Sequence, residues 1–398
     1  MNAKPVIVAV FVVVAGVIAF FALRRVRDRE PPGATPGSST ASPSAPDRGP
    51  AVSLTLLYST EKKDWLEAEV NAFAKEHPEV KVDLVGKGSL DAAQDILDEK
   101  ARPVLWSPAD ALALRLLDAD YDTKFHKTIF AREGDDAPQP LVITPLVYVI
   151  WEDRADVLLK AGGAVSWKLI HKAVASNQGW PAIGGKDTWG FVKLGHTDPT
   201  RSNSGLQALL LMSLEYYGKS SGLEIADVLK PEYQQFVKET ERGVSRFETS
   251  TGTFMTDMIR FGPSKYDIAV VYESLAIGQI ENAQGRWGNL KVYYPSMTLW
   301  SDHPVVLLAG DWVTEPQRKA ARTLIAFLRS RPAQEQALAW GFRPADPSVP
   351  IKTQDARNPF VRLAQYGISV DVPPAATLPE GPVVRNLMMM WSRVVANH

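Results

Sequence analysis

Cysteine is absent from this 398-residue sequence, and its absence excludes several kinds of site at once. Without thiols the chain can form no disulfide bond, no cysteine nucleophile, no cysteine-ligated zinc site and no iron–sulfur cluster. The six histidines are scattered along the sequence in a pattern that indicates no metal site. We therefore expect neither a bound metal nor a cofactor.

An excess of one charge is also lacking, since 44 lysines and arginines stand against 45 aspartates and glutamates. A basic surface is the usual mark of nucleic-acid binding, so we expect no nucleic-acid partner. The P-loop, dinucleotide-binding, nucleophile-elbow and HExxH motifs do not occur. Residues 59–62 match the S-x-x-K pattern of penicillin-binding enzymes without its companion motifs, so we attribute the match to chance and predict no catalytic residue.

One long apolar run does occur, over residues 6–23. At about 1.5 Å per residue it would reach about 27 Å as a helix, close to the roughly 30 Å of a bilayer core. A cleaved signal peptide is the alternative, but no clear cleavage site follows the run. We predict a membrane anchor or signal-anchor, a transmembrane helix within residues 1–30, and a disordered Pro/Ser-rich linker over residues 31–50.

The charges that flank this run conflict with an external domain. One lysine and the α-amino group precede the run, whereas four arginines follow it between residues 24 and 29. Taken alone, the positive-inside rule would place the large domain in the cytoplasm.

Beyond residue 50, short apolar segments alternate with helical patterns, which is typical of an α/β protein with a mostly parallel sheet. The main predicted strands are 53–58, 80–85, 104–106, 146–151, 189–194 and 267–272. The main predicted helices are 62–76, 90–100, 107–117, 206–217, 315–330, 333–340 and 382–395.

The order of these segments resembles that of the extracellular solute-binding proteins of bacterial ABC importers. The stretch VSLTLLYSTEKKDWLEAEVNAFAKEHPEVKVDLV is similar to that family's first strand, first helix and second strand. WGFVKLGHTDPTRSNSGLQALLLM resembles its second-lobe strand, ligand loop and helix. ARTLIAFLRSRPAQEQALAWGFRP resembles its terminal helices, with the GF.P turn found in the molybdate or oxyanion branch.

This resemblance implies the type 2 periplasmic-binding fold, an α/β fold of two lobes. Lobe one would comprise residues 51–145 and 299–398, the latter with the C-terminal helices, and lobe two residues 146–298. The chain would cross between the lobes near residues 145–151 and 294–305. A solute would bind in the cleft, and the lobes would close around it by a hinge motion.

Polar residues in the loops that would face this cleft are the predicted ligand-binding residues. Such loops lead into helix N-termini, whose free N–H groups suit a small anion. The same hydroxyl and amide groups would also serve as ordinary helix caps. The resemblance assigns ligand contacts to Ser59, Thr60, Gly88, Ser89, Ser107, Thr197, Ser202, Asn203, Ser204, Gly205, Tyr272 and Glu273.

The resemblance implies a solute-binding protein that is not an enzyme and captures a small polar solute or oxyanion. It would be held at the cell membrane by a single-pass anchor with its domain extracytoplasmic. Its partner would be an ABC-type permease or an envelope signalling protein.

Two departures leave alternatives open. The usual lipidated cysteine is missing, and the tail beyond about residue 350 exceeds the compact oxyanion-binding pattern. The alternative is an envelope adaptor on the same fold with a vestigial cleft. An enzyme on this fold would need a titratable pair in the cleft, for which Glu273 is the one candidate.

Overall fold

The computed structural model of the protein describes residues 51–396. The predicted anchor and linker, residues 1–50, lie outside these residues. Among the helices from residue 51 to residue 396, none combines the length and the apolar character needed to cross a membrane.

Eleven strands and fourteen α-helices are present in the described residues. The strands are β1 (Val52–Tyr58), β2 (Val80–Gly86), β3 (Leu105–Ser107), β4 (Gln139–Pro140), β5 (Val142–Trp151), β6 (Leu194–Gly195), β7 (Ile268–Tyr272), β8 (Leu290–Tyr293), β9 (Trp300–Ser301), β10 (Pro304–Leu307) and β11 (Arg343–Pro344). The helices are α1 (Lys63–Glu76), α2 (Ser89–Leu97), α3 (Ala111–Phe125), α4 (Glu152–Gly162), α5 (Trp167–Ala175), α6 (Asn203–Tyr217), α7 (Ile225–Val228), α8 (Pro231–Glu241), α9 (Thr251–Phe261), α10 (Glu273–Ala283), α11 (Glu315–Leu328), α12 (Arg331–Ala339), α13 (Pro359–Arg362) and α14 (Gly381–Trp391).

The first sheet has the strand order β2-β1-β3-β10-β4. β1 pairs in parallel with β2 and β3, whereas β10 runs antiparallel to β3 and β4. Leu54 and Leu56 point to the same face of β1, because side chains alternate along a strand. They share a buried apolar core with Trp65 and Phe73 of α1. We refer to the part of the protein built on this sheet as lobe one.

The second sheet has the order β11-β5-β7-β6, and β8 and β9 also pair with β5. The sequence of β5, VITPLVYVIW, is nearly continuously apolar, as expected for a strand buried on both faces. Val147 and Val149 belong to one core cluster, and Tyr148 and Ile150 to another on the opposite face. We refer to the part built on this sheet as lobe two.

The chain passes between the sheets at two short connections. β4 in the first sheet ends one residue before β5 in the second. On the return, β9 pairs with β5, and β10 joins the first sheet three residues later. His303, in this second connection, has a φ of 38° and donates its N–H to Ala109 O at 3.0 Å. This arrangement confirms the predicted α/β fold with two sheets.

The lobe boundaries remain predictions, and the last part of the chain contacts both lobes. β11 pairs with β5 of lobe two. Arg385 of α14 donates to the Asp120 carboxylate of lobe one at 2.9 Å and to Leu116 O at 3.3 Å. At the other end of α14, Trp391 Nε1 donates to Glu241 Oε1 of α8 at 2.8 Å. The C-terminal helix therefore bridges the two lobes.

The strand predicted at residues 189–194 is reduced to Leu194–Gly195. The backbone N–H of Lys193 donates to the side chain of Asp267 at 2.9 Å instead of to a neighbouring strand. Gly190, with a φ of 65°, also interrupts the extended conformation. A side-chain acceptor and a left-handed glycine therefore replace the expected strand pairing.

Candidate functional site

Three helix N-termini and one tight turn meet where the lobes face each other. From lobe one come the turn Thr60–Lys62, which follows β1, and α2, which follows β2. From lobe two come the first residues of α6 and α9. Such N-termini carry N–H groups that lack intrahelical partners and a positive partial charge.

Six hydroxyl side chains lie together at these positions and link the lobes. Thr60 Oγ1 of lobe one lies 2.7 Å from Ser250 Oγ of lobe two. Within lobe two, Ser204 Oγ lies 2.7 Å from Thr251 Oγ1 and 2.8 Å from Thr197 Oγ1. With Ser202, whose Oγ is 3.4 Å from Thr251 Oγ1, these residues form what we term the hydroxyl cluster: Thr60, Thr197, Ser202, Ser204, Ser250 and Thr251.

Two glycines allow a close approach of backbone in this region. A Cβ atom added at Gly88 would lie 2.7 Å from Thr249 O and 2.9 Å from Arg201 O, both in lobe two. A Cβ atom added at Gly205 would lie 2.1 Å from Thr197 O. These separations are shorter than van der Waals contact, so the two positions require glycine.

A buried ionic cluster lies beside the turn that follows β1. Lys62 Nζ donates to Ser59 Oγ at 2.5 Å and to Ser107 O at 3.1 Å. His303 Nδ1 lies 3.2 Å from Lys62 Nζ and 3.2 Å from Glu61 Oε1. The five side chains are all buried. One positive and one negative charge balance each other here, as burial requires.

Burial and mutual charge shift the pKa values of this cluster and of its neighbour Asp302. Burial lowers the pKa of Lys62 to about 8 although Glu61 opposes the shift. Burial and the charge of Lys62 lower the pKa of His303 to about 4. Burial opposes ionisation of Glu61, but its hydrogen bond with His303 and the charge of Lys62 lower its pKa to about 2. Burial and the charge of Asp110 raise the pKa of Asp302 to about 6.

Asp110 joins the lobes through two amide side chains of α6. Its Oδ1 accepts the N–H of Leu112 at 2.8 Å and thereby caps α3. Its Oδ2 accepts from Asn203 Nδ2 at 2.7 Å and from Gln207 Nε2 at 2.8 Å. Asn203 Nδ2 also lies 3.1 Å from Tyr272 OH. The amide N–H groups of Asn203 are thus directed to protein acceptors in this structure.

Four buried polar atoms near these groups have no hydrogen-bond partner within the described part of the chain. Buried polar groups are nearly always paired, with protein, water or ligand. A polar solute or an ordered water between the lobes would satisfy such orphaned atoms. They are Ser107 Oγ, Asn203 Oδ1, Gln207 Oε1 and His303 Nε2.

Most of the predicted ligand residues lie in this inter-lobe region, although in different roles. Ser89 Oγ accepts the N–H of Ala109 at 3.0 Å. Backbone segments approach each other closely at Gly88 and Gly205. The hydroxyl cluster includes Thr60, Thr197, Ser202 and Ser204. Residues that pair with the groups around Lys62 and Asp110 are Ser59, Ser107, Asn203 and Tyr272.

Glu273 has a different environment from the other predicted residues. Its two carboxylate oxygens each accept from the Arg343 guanidinium at 2.8 Å, and Tyr294 OH also donates to it. Arg343 in turn donates to the carbonyls of Ser369 and Val370 in the C-terminal segment. Glu273 therefore ties this segment to lobe two, and we omit it from the solute site proposed below.

The sequence patterns do not identify several side chains that lie at the site. Ser250 and Thr251 begin a helix whose apolar residues recur at helical spacing, so a capping signal was available. Asp110 is the N-cap of α3, which begins at Ala111 and not at the predicted residue 107. Lys62 and His303 belong to no motif that signals their burial. The missed residues are Lys62, Asp110, Gln207, Ser250, Thr251 and His303.

A fold of two α/β lobes, with polar groups of both lobes meeting between them, defines a two-lobed binding protein. The chain belongs to the family of bacterial extracellular solute-binding proteins, whose model matches residues 54–343. Proteins of this family serve ABC importers and are not enzymes, as predicted. A search of curated proteins finds no match to this sequence.

Solved structures of periplasmic binding proteins share the fold at low sequence identity. The sulfate-binding protein SubI from Mycobacterium tuberculosis H37Rv is 15% identical with a TM-score of 0.54, covering 81% of this chain and 94% of its own. AfuA from Actinobacillus pleuropneumoniae, with fructose-6-phosphate bound, is 14% identical with a TM-score of 0.57, covering 87% and 99%. The ferric binding protein from Campylobacter jejuni is 11% identical with a TM-score of 0.57, covering 86% and 98%.

Replacing Gly205 by alanine is expected to destabilise the protein, because the new methyl group would meet the Thr197 carbonyl. Overpacking of this kind costs about 1–3 kcal/mol of the free energy of unfolding, which urea titration measures. Gly278→Ala is the matched control, since it is also helical and nothing lies within 4 Å of its added Cβ. It should gain about 0.5–1 kcal/mol. Equal effects of the two variants would contradict the assigned close approach.

Acidification is expected to act on stability in two opposite directions. The lowered pKa of His303, about 4, stabilises the folded state above pH 6.5, and this contribution is lost as the pH falls through 4. The raised pKa of Asp302, about 6, stabilises the folded state below pH 3.8, and this contribution is lost as the pH rises through 6. The two contributions largely offset each other between these values.

Asp302→Asn removes the second contribution, so its free energy of unfolding should fall more steeply than that of the wild type between pH 6.5 and 4. We expect a difference of about 1–2 kcal/mol across this range. Urea titrations at several pH values measure it. The exposed Asp371→Asn is the control and should follow the wild type. Identical profiles for Asp302→Asn and the wild type would disprove the offset.

Proposed function

We propose that the protein binds a small oxyanion in the cleft between its lobes, at the hydroxyl cluster. The observation that carries this proposal is the 2.7 Å contact between Thr60 Oγ1 of lobe one and Ser250 Oγ of lobe two. Hydroxyl donors of both lobes are thereby within reach of one small solute. Helix N-termini add N–H donors and a positive partial charge.

Because the hydroxyl donors are divided between the two lobes, a bound solute would favour closure of the lobes. Thr60 belongs to lobe one, whereas Ser202, Ser250 and Thr251 belong to lobe two. A solute shifts a conformational equilibrium only by contacts that differ between the two states. An oxyanion that accepts from both sets makes all its contacts only when the lobes are closed, so its binding favours hinge closure.

The chemistry of two structural neighbours supports an oxyanion. One is named for sulfate and the other was solved with fructose-6-phosphate bound. Both solutes present a tetrahedral group of oxygens that accepts several hydrogen bonds. A ring of hydroxyl and N–H donors is suited to the same chemical group.

The proposal includes a membrane tether and a permease partner. Residues 6–23 would anchor the protein in the cell membrane, and the linker over residues 31–50 would let the domain move at its outer face. From there the domain delivers its solute to an ABC-type permease. The family's extracellular placement outweighs the arginines that follow the apolar run, because long domains translocate largely regardless of flanking charge.

An envelope adaptor that binds no solute is the second candidate. The observation that favours it is the set of charged side chains that fill the inter-lobe region, Glu61, Lys62 and Asp110 with His303. A cleft filled in this way would leave the two-lobed fold as an interaction module. The orphaned polar atoms favour solute binding instead, since a vestigial site has no reason to retain them.

A thermal-shift screen of residues 51–398 distinguishes these two functions. The panel contains sulfate, phosphate, molybdate and fructose-6-phosphate, with sugars and amino acids as comparison. A bound solute at about 100 times its Kd adds about 2.7 kcal/mol to stability, which is visible as a rise in Tm. We expect a rise with at least one oxyanion. A panel without any rise would favour the adaptor.

Thr251→Val tests the site within the same screen, because it removes one hydroxyl and keeps the shape of the side chain. Its affinity for the oxyanion should fall by about tenfold or more, since a hydrogen bond to a charged group is lost. Thr256→Val is the matched control on the same helix, where the hydroxyl bonds to Gly252 O at 3.0 Å and is exposed. Equal affinities of the two variants would remove the hydroxyl cluster from the solute site.

Deletion of residues 6–23 tests the tether. The full chain should sediment with membranes after a high-salt wash, because an apolar run of this length is long enough to span a bilayer. The deletion should release it, whereas deletion of residues 31–50 should not. Protease added to spheroplasts should digest the domain. Protection from that protease would place the domain in the cytoplasm and contradict the proposed location.

A further inference from the structure

The C-terminal helix ends in a buried tryptophan that reaches a carboxylate of lobe two. Trp391 is 1% exposed, and its ring packs edge-on against Phe247 with the ring centres 4.9 Å apart. Its Nε1–H donates to Glu241 Oε1 at 2.8 Å. One oxygen of this buried carboxylate is therefore satisfied by a residue outside the family match, which ends at residue 343.

The second oxygen of the same carboxylate pairs with a buried histidine. Glu241 Oε2 lies 2.8 Å from His196 Nε2, and His196 Nδ1 lies 2.9 Å from Thr197 O. The carbonyl can only accept and the ionised carboxylate can only accept, so this geometry suits an imidazole that is protonated on both nitrogens and charged. Burial opposes this charge, but Glu241 raises the pKa of His196 above its ordinary value.

From this histidine the hydrogen bonds continue into the hydroxyl cluster. Thr197 bonds to Ser204 at 2.8 Å, and Ser204 bonds to Thr251 at 2.7 Å. The carbonyl that His196 holds is also the atom that an added Cβ at Gly205 would meet. Every side chain between Trp391 and Thr251 is at least nine-tenths buried. The chain of contacts is thus continuous from the C-terminal helix to the loop that carries the hydroxyl donors.

We propose that the C-terminal helix positions this loop, residues 196–205, through Trp391, Glu241 and His196, all three acting as positioning residues. That the loop holds a solute rests on the function proposed above. The geometry explains why the positioning is strong. A buried charge whose partner is displaced is left uncompensated, so His196 and Glu241 must keep their places, and Trp391 fixes Glu241 from the far side.

Trp391→Phe in the full chain tests this proposal, because it removes the Nε1–H donor and keeps an aromatic ring in contact with Phe247. Leu387→Ala is the matched control, since it removes buried packing of the same helix and keeps the hydrogen bond. Two measurements need no solute. One is the NMR titration of the His196 imidazole, assigned by comparison with His196→Asn, and the other is amide hydrogen exchange across residues 196–205.

We expect Trp391→Phe to lower the titration midpoint of His196, because Glu241 loses the donor that fixes it against the imidazolium and stabilises that charge less. Amide exchange in the loop should accelerate by about tenfold relative to the rest of lobe two. Leu387→Ala should leave both unchanged while lowering Tm. Glu241→Gln should lower the His196 midpoint, because it removes the charge that holds the second proton.

Oxyanion affinity is measured on the same variants and separates the two proposals. A weaker affinity of Trp391→Phe, with an unchanged affinity of Leu387→Ala, supports both positioning and solute binding. If the wild type binds no oxyanion but Trp391→Phe shows the expected changes in His196 titration and loop exchange, positioning is supported and the oxyanion function is refuted. Trp391→Phe that lowers Tm without altering either the His196 titration or loop exchange would overturn the positioning proposal.

Discussion

Removing charged side chains from water is the constraint on which the arrangement of the two lobes depends. An ion buried without a partner costs several kcal/mol, so an opposite charge beside a buried ion is strongly favoured. Arg343 meets Glu273 in this way, and His196 meets Glu241. The third such pair lies in the turn that follows β1. The first two pairs fix segments that are distant in the sequence, and His303 joins the third pair from another such segment.

The contacts made between the lobes themselves are of a weaker kind. Asp110 accepts from two neutral amides, and Thr60 meets Ser250 through hydroxyl groups. When the lobes separate, water can replace each partner, and a net hydrogen bond is worth only about 0.5–1.5 kcal/mol. Arg201 with Asp91 is an ion pair across the same boundary, but its exposure keeps its contribution at about 0–1 kcal/mol. Opening therefore costs little without a solute, and a solute that contacts both lobes would raise that cost.

The strands and helices of the α/β fold could be predicted from local patterns, and the family resemblance placed most of the predicted ligand residues between the lobes. The apolar alternation of residues 53–58 marks a strand, and the Ser-Asn-Ser-Gly sequence before α6 marks a helix start. Glu273 shows where such prediction ends. Its partner Arg343 is seventy residues away, and nothing local to either residue indicates that they meet. His303 is hidden for the same reason, since its role depends on where the chain returns to lobe one.

The two proposed functions differ in whether the hydroxyl groups pair with each other or with a solute. A hydroxyl can both donate and accept, so Thr60 and Ser250 satisfy each other when no solute is bound. An oxyanion that accepts from both would need roughly 5 Å between their oxygens, since each O–H···O contact spans about 2.7 Å. Under the proposed function, the lobes of the solute-bound protein would therefore lie slightly further apart than in the conformation described, in which these oxygens are 2.7 Å apart. In a vestigial cleft the hydroxyl groups would pair with each other under all conditions. Charge-assisted hydrogen bonds to an oxyanion are roughly twice as strong as neutral ones, so they favour the solute-bound state over this self-pairing.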